Sequence, residues 1–188
     1  MSKLVVTEFV SLDGVFEDPG GAEGFEHGGW SFKFDRGTEG DKFKVDELMA
    51  AGAQLLGRVT YQGFAAAWPK MRSDPFGEKM NSMPKYVVSS TLEQADWENS
   101  TVVDGASAME RVAELKQEVD GDILVAGSGT LVTGLAEAGL VDEFHLMVFP
   151  IVLGNGRRLL NGLSSPATLR LAGTQEAGDA LILTYVPR

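Results

Sequence analysis

Residues 122–160 place a strand, a glycine turn and a helix in direct succession, an order that builds anion-binding sites in α/β proteins. The predicted buried strand Ile123–Ala126 ends in the sequence Gly127-Ser128-Gly129-Thr130, and a helical pattern follows it. Glycine lets the backbone approach a ligand closely, and the first N–H groups of a helix point outward with the positive end of the helix dipole. The sequence therefore predicts that a phosphate-bearing ligand binds at this turn.

Two other predicted strands end in residues of the same kind. The short strand Gln54–Gly57 runs into a helix that begins at Arg58 and includes Thr60, and the strand Lys85–Ser90 ends in small hydroxyl residues. Ligands of open α/β sheets bind outside the carboxyl ends of the strands, so these three ends would converge if the strands are parallel neighbours. Arg58 is the cation best placed to pair with a phosphate.

Two common nucleotide-binding motifs do not match the glycine turn. A Rossmann fingerprint needs a third glycine three residues after Gly129, where Val132 stands, and a Walker loop needs a Gly-Lys-Ser/Thr sequence that is absent. A Gly-x-Ser-x-Gly nucleophile elbow is also absent. The spacing therefore excludes the Rossmann and Walker motifs, and any nucleotide site at this turn is of another type.

The remaining pattern predicts an α/β fold in a single domain, 1–188. Alternating strands and helices indicate a largely parallel sheet, and the last two strands read as an antiparallel hairpin. The other predicted elements are a strand at Lys3–Val10, a helix at Asp41–Ala53, a loop at Lys70–Met83, a short strand within Trp97–Val103, a helix from a capping box at Ser107–Glu110 to Val119, a strand at Glu143–Phe149, and strands at Thr168–Thr174 and Ala180–Val186 joined by Glu176–Asp179.

Composition limits the partners of the chain. Its net charge is −11 over 188 residues, which argues against nucleic acid or an anionic membrane as a partner. There is no cysteine, and the two histidines, His27 and His145, have no partner at metal-ligand spacing, so no metal site is expected. His145 is better explained as a strand residue with a structural hydrogen bond. A cytoplasmic protein fits this composition.

Asp13 and the aromatic segment that follows it, residues 15–40, are the candidates for the substrate side. Asp13 could act as an acid or orient a heterocycle, but Asp13-Gly14 is also a common turn sequence. The segment could cover a pocket, or it could be a surface loop closed by its own side chains. Its three aromatic residues predicted to line a substrate pocket are Phe16, Trp30 and Phe34.

Four stretches together resemble the dihydrofolate-reductase-like superfamily, in the branch of the pyrimidine reductase of riboflavin biosynthesis and its small stand-alone relatives. They are SLDG (11–14), LLGRVTYQGFAAAWP (55–69), KYVVSSTL (85–92) and the stretch 122–160. The resemblance implies a three-layer α/β sandwich with a mostly parallel central sheet and an antiparallel C-terminal strand. It also implies NADPH as the cofactor and a homodimer, for which the apolar strand Phe144–Phe149 could serve, although that strand suits an ordinary sheet core equally well.

The same resemblance implies roles for individual residues. Cofactor phosphates would be held by Gly57, Arg58 and Thr60, with Arg58 a candidate for the 2′-phosphate; the adenosine half would lie along Ser89, Ser90 and Thr91; and the pyrophosphate would be held by Gly127, Ser128, Gly129 and Thr130. The family often has a Gly-Gly pair where Gly127-Ser128 stands. Asp13 matches an acidic position near the substrate, whereas Asp46 and Glu47 lie in a helix that carries an acid in dihydrofolate reductase but match no motif.

The implied reaction is hydride transfer to a small heterocycle, pyrimidine- or pterin-like, as in 5-amino-6-(5-phosphoribosylamino)uracil reductase. Residues 15–40 are rich in aromatics and contain only two basic residues, Lys33 and Arg36, which favours a flat apolar ligand over a phosphorylated sugar. Two alternatives remain open: a non-catalytic NADP(H)- or drug-binding module on the same fold, and a sugar-phosphate isomerase or transferase that uses the same helix N-termini.

Overall fold

The computed structural model describes residues 1–188, and all of its strands join one eight-stranded sheet. The strands are β1 (Leu4–Ser11), β2 (Ala51–Gly57), β3 (Lys85–Val88), β4 (Ser100–Val103), β5 (Asp122–Ala126), β6 (Glu143–Phe149), β7 (Leu169–Ala177) and β8 (Ala180–Pro187). Their order in the sheet is β4-β3-β2-β5-β1-β6-β8-β7. All neighbours from β4 to β6 pair in parallel, and β8 runs antiparallel to both β6 and β7.

Helices cover both faces of the sheet and complete three layers. They are α1 (Gly37–Ala50), α2 (Arg58–Ala67), α3 (Pro75–Ser82), α4 (Ala108–Glu118) and α5 (Gly129–Glu137). Leu48 of α1, Tyr61 of α2 and Met80 of α3 pack on one face, while Val112 of α4 and Leu135 of α5 pack on the other. The predicted α/β sandwich with a mostly parallel sheet is therefore confirmed, including its antiparallel C-terminal strand.

Parallel central strands are buried on both faces, which explains their continuous apolar sequences. Ile123, Leu124 and Val125 of β5 are each at most 5% exposed, because helices lie above and below them. A third core lies at the β6–β8 end of the sheet, where Trp30 and Phe149 are fully buried. This core is covered by the aromatic segment and by Phe43 of α1.

Several predicted boundaries were wrong. The first helix begins at Gly37 and ends at Ala50, so β2 takes Ala51–Gly57 and is longer than predicted. The predicted helix pattern was misleading because α1 directs charged residues toward the sheet and leaves Val45 exposed. Tertiary contacts override the apolar periodicity in this helix.

The loop predicted over residues 70–83 contains helix α3. Its N-cap is Asp74, whose carboxylate accepts a hydrogen bond from the N–H of Gly77, and Pro75 occupies the first helical position. The capping box predicted at Ser107 is absent, because the Ser107 side chain makes no cap bond and Asp104 caps a 3₁₀ turn before α4. Asp74 and Pro75 are the sequence signal for α3, whereas the apolar pattern of this stretch does not indicate a helix.

The C-terminal hairpin is tighter than predicted. β7 extends to Ala177 and β8 begins at Ala180, so only Gly178 and Asp179 form the connection, with Gly178 at a φ of +58°. Such left-handed turns match the twist of the two strands. None of the helices has the length and apolar character needed to cross a membrane.

Candidate functional site

The three strand ends predicted to carry the ligand lie side by side. β3, β2 and β5 are consecutive parallel neighbours, and Gly57, Ser89 and Gly127 follow or end these strands at the same edge of the sheet. The expectation that these junctions converge is confirmed.

Two of the junctions are joined directly by hydrogen bonds. The N–H of Gly57 donates to Ser128 Oγ at 2.9 Å, and the N–H of Ser128 donates to Thr60 Oγ1 at 3.0 Å. Gly127 and Ser128 both have left-handed backbones, with φ of +58° and +61°. A methyl group on Gly127 would lie 2.8 Å from Thr60 Oγ1, so only glycine lets the two turns approach this closely.

The helices that start at these turns lack side-chain caps at their N-termini. Neither α2 nor α5 has a side-chain cap, in contrast to α3 with its Asp74 cap. The first N–H groups of each helix have no partner within the helix and could bind an anion, although Phe16 lies against the start of α5. Arg58 is exposed, has no carboxylate within 4.0 Å, and donates only to Gln62 Oε1 at 3.1 Å. These features fit the phosphates of a dinucleotide.

The serine-rich turn after β3 is partly occupied by its own contacts. The N–H groups of Thr91 and Leu92 donate to Ser89 Oγ at 3.1 and 2.9 Å. Ser90 and Thr91 are exposed, as is Thr130 at the start of α5. Ser89 therefore shapes the turn, whereas Ser90 and Thr91 present hydroxyl groups at its surface.

The sheet has a notch beside the glycine turn. Thr7 of β1 pairs with Ala126, the last residue of β5, so β1 continues from Glu8 to Ser11 with no strand on that side. On its other side, β1 remains paired with β6 as far as Phe149. The notch opens between the end of β1 and the Gly127 turn.

Asp13 holds a loop in this structure, and its role as a catalytic or substrate-orienting group stays a prediction. Its carboxylate accepts hydrogen bonds from the Ser11 hydroxyl at 2.7 Å and from the N–H groups of Leu153 and Gly154 at 3.1 and 2.9 Å. The Ser11 bond and then these N–H groups hold the pKa of Asp13 well below its usual value of 3.8. A carboxylate that stays ionised and engaged in this way is unsuited to giving up a proton.

The three aromatic residues predicted to line a substrate pocket do not come together. Trp30 is fully buried, with its ring 5.5 Å from that of Phe149 and its Nε1 donating to Glu17 O at 2.8 Å. Phe34 packs 5.9 Å from the same Phe149 ring. Phe16 lies elsewhere, against Gly129. A methyl group added at Gly129 would be 2.3 Å from the Phe16 ring. Trp30 thus belongs to the core, and Phe16 covers the N-terminus of α5.

The aromatic segment is closed largely by its own contacts. Asp18 is buried and accepts hydrogen bonds from the N–H groups of Ala22, Glu23 and Phe25. Of the two alternatives for this segment, the structure favours a self-closed loop that also covers the third core.

The α1 face beside the notch carries a charged cluster that the sequence did not predict. Thr7 Oγ1 donates to Glu47 Oε2 at 2.8 Å and accepts from Lys44 Nζ at 2.6 Å, and Glu47 Oε1 lies 2.7 Å from His145 Nδ1. Lys44 Nζ also lies 5.6 Å from the centre of the Phe9 ring. The predicted structural hydrogen bond of His145 is confirmed, and Lys44 adds a cation beside the Phe9 ring.

The residues of this cluster come from β1, α1 and β6, so no local sequence motif predicts the cluster. The one sequence signal for this cluster is the pair of polar residues Thr7 and Glu8 in the otherwise apolar strand LVVTEFVS. No group of three or more His, Cys, Asp or Glu side chains in the structure could hold a metal ion.

The sequence model of the RibD C-terminal domain matches residues 2–183 of the chain. The chain is 32% identical over 185 residues to the uncharacterized protein YwjB of Bacillus subtilis (strain 168), covering 98% of this chain and 97% of YwjB. It is 28% identical to the uncharacterized protein YyaP of the same organism, covering 96% of this chain and 92% of YyaP. These relatives match it over nearly their whole length.

Solved structures share the fold at low sequence identity. A Shewanella sp. PV-4 protein whose name provisionally places it in riboflavin biosynthesis has a TM-score of 0.75 at 21% identity, covering 100% of this chain and 99% of that one. The deaminase/5-amino-6-(5-phosphoribosylamino)uracil reductase of Thermotoga maritima has a TM-score of 0.64 at 13% identity, and the match covers 100% of this chain and 57% of that one.

Dihydrofolate reductase from Enterococcus faecalis, solved with NADP(H), has a TM-score of 0.57 at 14% identity, covering 99% of this chain and 96% of that one. The fold, the converging strand ends and the nearly full-length sequence match agree with one another. The chain belongs to the RibD C-terminal domain family, with a dihydrofolate-reductase-like fold.

Proposed function

We propose that this chain is an NADPH-dependent reductase that transfers a hydride to a small heterocyclic substrate, pyrimidine- or pterin-like. The observation that carries the proposal is the direct contact between two uncapped helix N-termini, through Gly57, Thr60 and Ser128. Paired N-termini of this kind suit a ligand with several phosphates. The relationship to reductases and to a structure solved with NADP(H) agrees with this proposal.

In this proposal the chain's own residues bind and orient the cofactor, which supplies the hydride when bound. The N–H groups of α5 after Ser128 and of α2 after Gly57 hold phosphate oxygens. Arg58, which has no acidic partner, pairs with the 2′-phosphate that distinguishes NADPH from NADH. Phe16 moves from the N-terminus of α5 when the phosphates bind there.

The substrate half has a different chemical character from the one the aromatic residues predict. Lys44 and Arg36 both lie near the Phe9 ring, with Lys44 Nζ and the Arg36 guanidinium carbon 5.6 and 5.5 Å from its centre. A flat heterocycle with electronegative ring substituents suits an aromatic ring flanked by cations. Asp13 contributes indirectly by holding the loop after β6.

The proposal is tested by the melting temperature, Tm, of the protein in the presence of each cofactor. NADPH at 100 times its Kd stabilises the fold by about 2.7 kcal/mol, so Tm rises by several degrees, whereas NADH at the same concentration has a much smaller effect. Arg58→Ala removes the difference between the two cofactors, because it removes the cation for the 2′-phosphate. Arg111→Ala, which changes a guanidinium paired with Glu118 on α4, serves as the control and keeps the difference.

Equal effects of NADPH and NADH in the wild-type protein, unchanged in Arg58→Ala, would contradict the 2′-phosphate assignment. No Tm response to either cofactor would contradict the function itself. Turnover is then measured as NADPH oxidation in the presence of pterins and pyrimidines.

A second candidate, a non-catalytic NADP(H)- or drug-binding module, is supported by the engagement of Asp13 in the loop after β6. This candidate is favoured if NADPH binds tightly and no heterocycle is reduced. We further propose a homodimer as the working form of the protein, because the C-terminal strands leave Leu171 and Leu181 exposed.

A further inference from the structure

Glu8 is a buried acid at the edge of the notch. It follows Thr7, which pairs with the last residue of β5, so its side chain stands beside the Gly127 turn while its backbone pairs with Leu146 of β6. Glu8 is 5% exposed, and its Oε1 has no hydrogen-bond partner. A buried polar atom without a partner is costly and rare in folded proteins, and at the notch a ligand could supply the missing hydrogen bond.

The protonation state of Glu8 defines what that ligand could be. Burial raises the pKa of Glu8 well above its usual value of 4.5 and so favours the neutral acid. Lys44 and the N–H of Gly127 oppose this shift, while the charges of Glu23 and Glu47 add to it. A neutral carboxyl group presents one O–H donor beside one C=O acceptor. This pattern is complementary to an amide group, which presents an N–H donor beside a C=O acceptor.

We propose that the Glu8 carboxyl group binds an amide group of a ligand at the notch between β1 and the Gly127 turn. The inference rests on the proposed function, since NADPH would bring such a group to this turn in its nicotinamide carboxamide. The lactam edge of a pyrimidine or pterin, with its ring N–H and C=O, has the same chemistry and is the other possible source.

A structural role for Glu8 is less consistent with its surroundings. Gln54 on β2 also has a buried Oε1 without a partner, but its Nε2 donates to Met80 Sδ and it pairs with Leu124 inside the sheet, away from the notch. Gln54→Leu is therefore a matched control for removal of a buried oxygen from this sheet. Glu8→Met removes the hydrogen-bonding group at constant size, and Glu8→Gln keeps a donor beside an acceptor.

The experiment measures the Kd values of NADPH, of 2′,5′-ADP and of the 3-acetylpyridine analogue of NADP⁺ in these variants. The analogue carries a methyl ketone in place of the carboxamide, and 2′,5′-ADP lacks the nicotinamide altogether. We expect Glu8→Met to weaken NADPH binding about tenfold or more, while Glu8→Gln changes it less than about threefold. Binding of 2′,5′-ADP stays unchanged in both variants, and Gln54→Leu leaves all three affinities unchanged.

The wild-type protein provides a test that does not depend on the folding of any variant. Because the analogue has no amide N–H, the wild-type protein binds it about tenfold more weakly than NADP⁺, and Glu8→Met removes that difference. The Tm of the ligand-free protein rises by about 2–4 °C in Glu8→Met, since a buried polar atom without a partner is lost.

Each outcome has a defined meaning. Weaker NADPH binding in Glu8→Met assigns the amide to the carboxamide, whereas unchanged NADPH binding with weaker binding of uracil or pterin assigns it to the substrate lactam. Unchanged affinity for all of these ligands, with a lower Tm in Glu8→Met, would place Glu8 in the framework and overturn the inference. Failure of the wild-type protein to bind both NADPH and 2′,5′-ADP would instead refute the proposed cofactor.

Discussion

His145 lies in a buried network of charges on the α1 face of the sheet. Its Nδ1 is 2.7 Å from Glu47 Oε1 and its Nε2 is 3.1 Å from Glu143 Oε2, while Lys44 and Lys3 pair with these same carboxylates. Burial alone would lower the pKa of His145, but the hydrogen bonds to Glu47 and Glu143 outweigh it and raise the pKa above 6.5. Burial also acts to raise the pKa of Glu47, and its bonds to His145 and Lys44 reverse this and lower the pKa below 4.5.

The direction of these shifts sets the pH range in which the pair stabilises the fold. The contribution of His145 is complete below about pH 6.5 and is lost as pH rises through its folded pKa. The contribution of Glu47 is complete above about pH 4.5 and is lost as pH falls through its folded pKa. The pair therefore contributes most between these two values.

We predict that Glu47→Gln lowers the free energy of unfolding by about 2 kcal/mol at pH 6, because Lys44 and Glu143 compensate only part of the roughly 3–5 kcal/mol lost when a buried pair is broken. The loss becomes smaller as pH rises above 6.5. The measurement is Tm against pH for both proteins. Glu118→Gln, which changes an exposed carboxylate on α4, is the control and shifts Tm little. Parallel Tm curves for Glu47→Gln and the wild-type protein would contradict the charged pair.

At the scale of elements, two strand–turn–helix units form the candidate site, and hydrogen bonds join their turns. α2 begins at Arg58 and α5 at Gly129, and the turn before α5 needs left-handed backbones at Gly127 and Ser128. The strain at Ser128 is offset by its two hydrogen bonds across to the first turn. The proposed phosphate site thus depends on the approach of two backbones more than on charged side chains.

We predict that Gly127→Ala destabilises the protein by about 1–2 kcal/mol and weakens NADPH binding. Alanine is strained at a φ of +58°, and its methyl group would lie 2.8 Å from Thr60 Oγ1. Chemical denaturation and a cofactor titration measure the two effects.

Gly134→Ala in the middle of α5 is the matched control. Its methyl group would meet nothing closer than Met109 Cε at 3.7 Å, so the substitution stabilises the helix by about 0.5–1 kcal/mol and leaves binding unchanged. Equal stability of Gly127→Ala and the wild-type protein would show that the two turns can separate at little cost.

At the scale of the whole molecule, the C-terminal strands leave apolar side chains uncovered. α4 and α5 cover the centre of one sheet face, and beyond them Leu171 of β7 and Leu181 of β8 are 48% and 40% exposed. Leu183 and Leu146 pair beside Leu181 on the same face. We propose that a second copy of the chain covers this apolar face with the same face of its own. A stable dimer of this kind needs about 800 Å² of complementary surface from each partner.

We predict that the wild-type protein has twice its monomer mass of 20.1 kDa in light scattering coupled to size exclusion, and that Leu181→Arg gives the monomer. Val45 on α1 is also 40% exposed, and Val45→Arg is the control that keeps the dimer. A monomeric wild-type protein, or a dimer that survives Leu181→Arg, would contradict this interface.

The sequence by itself determined most of the order of the elements and the two strand–glycine–helix junctions. Apolar strands, glycine turns and helix starts are local features, so the junctions at Gly57 and Gly127 and the parallel sheet could be predicted from neighbouring residues. Helix α3 was missed because Asp74 and Pro75, not an apolar period, define it. The third core was missed for a related reason, since Trp30 and Phe149 are far apart in the chain.

The tertiary structure decided which polar groups meet. Asp13 reaches Leu153 and Gly154, and Glu47 reaches His145, over sequence separations that no local pattern encodes. Burial is likewise a property of the assembled layers, so the unpartnered oxygen of Glu8 becomes buried only when the chain has folded. Turns and helix starts depend on adjacent residues and can be predicted from them. Side-chain pKa values and hydrogen-bond partners depend on the surroundings that folding creates.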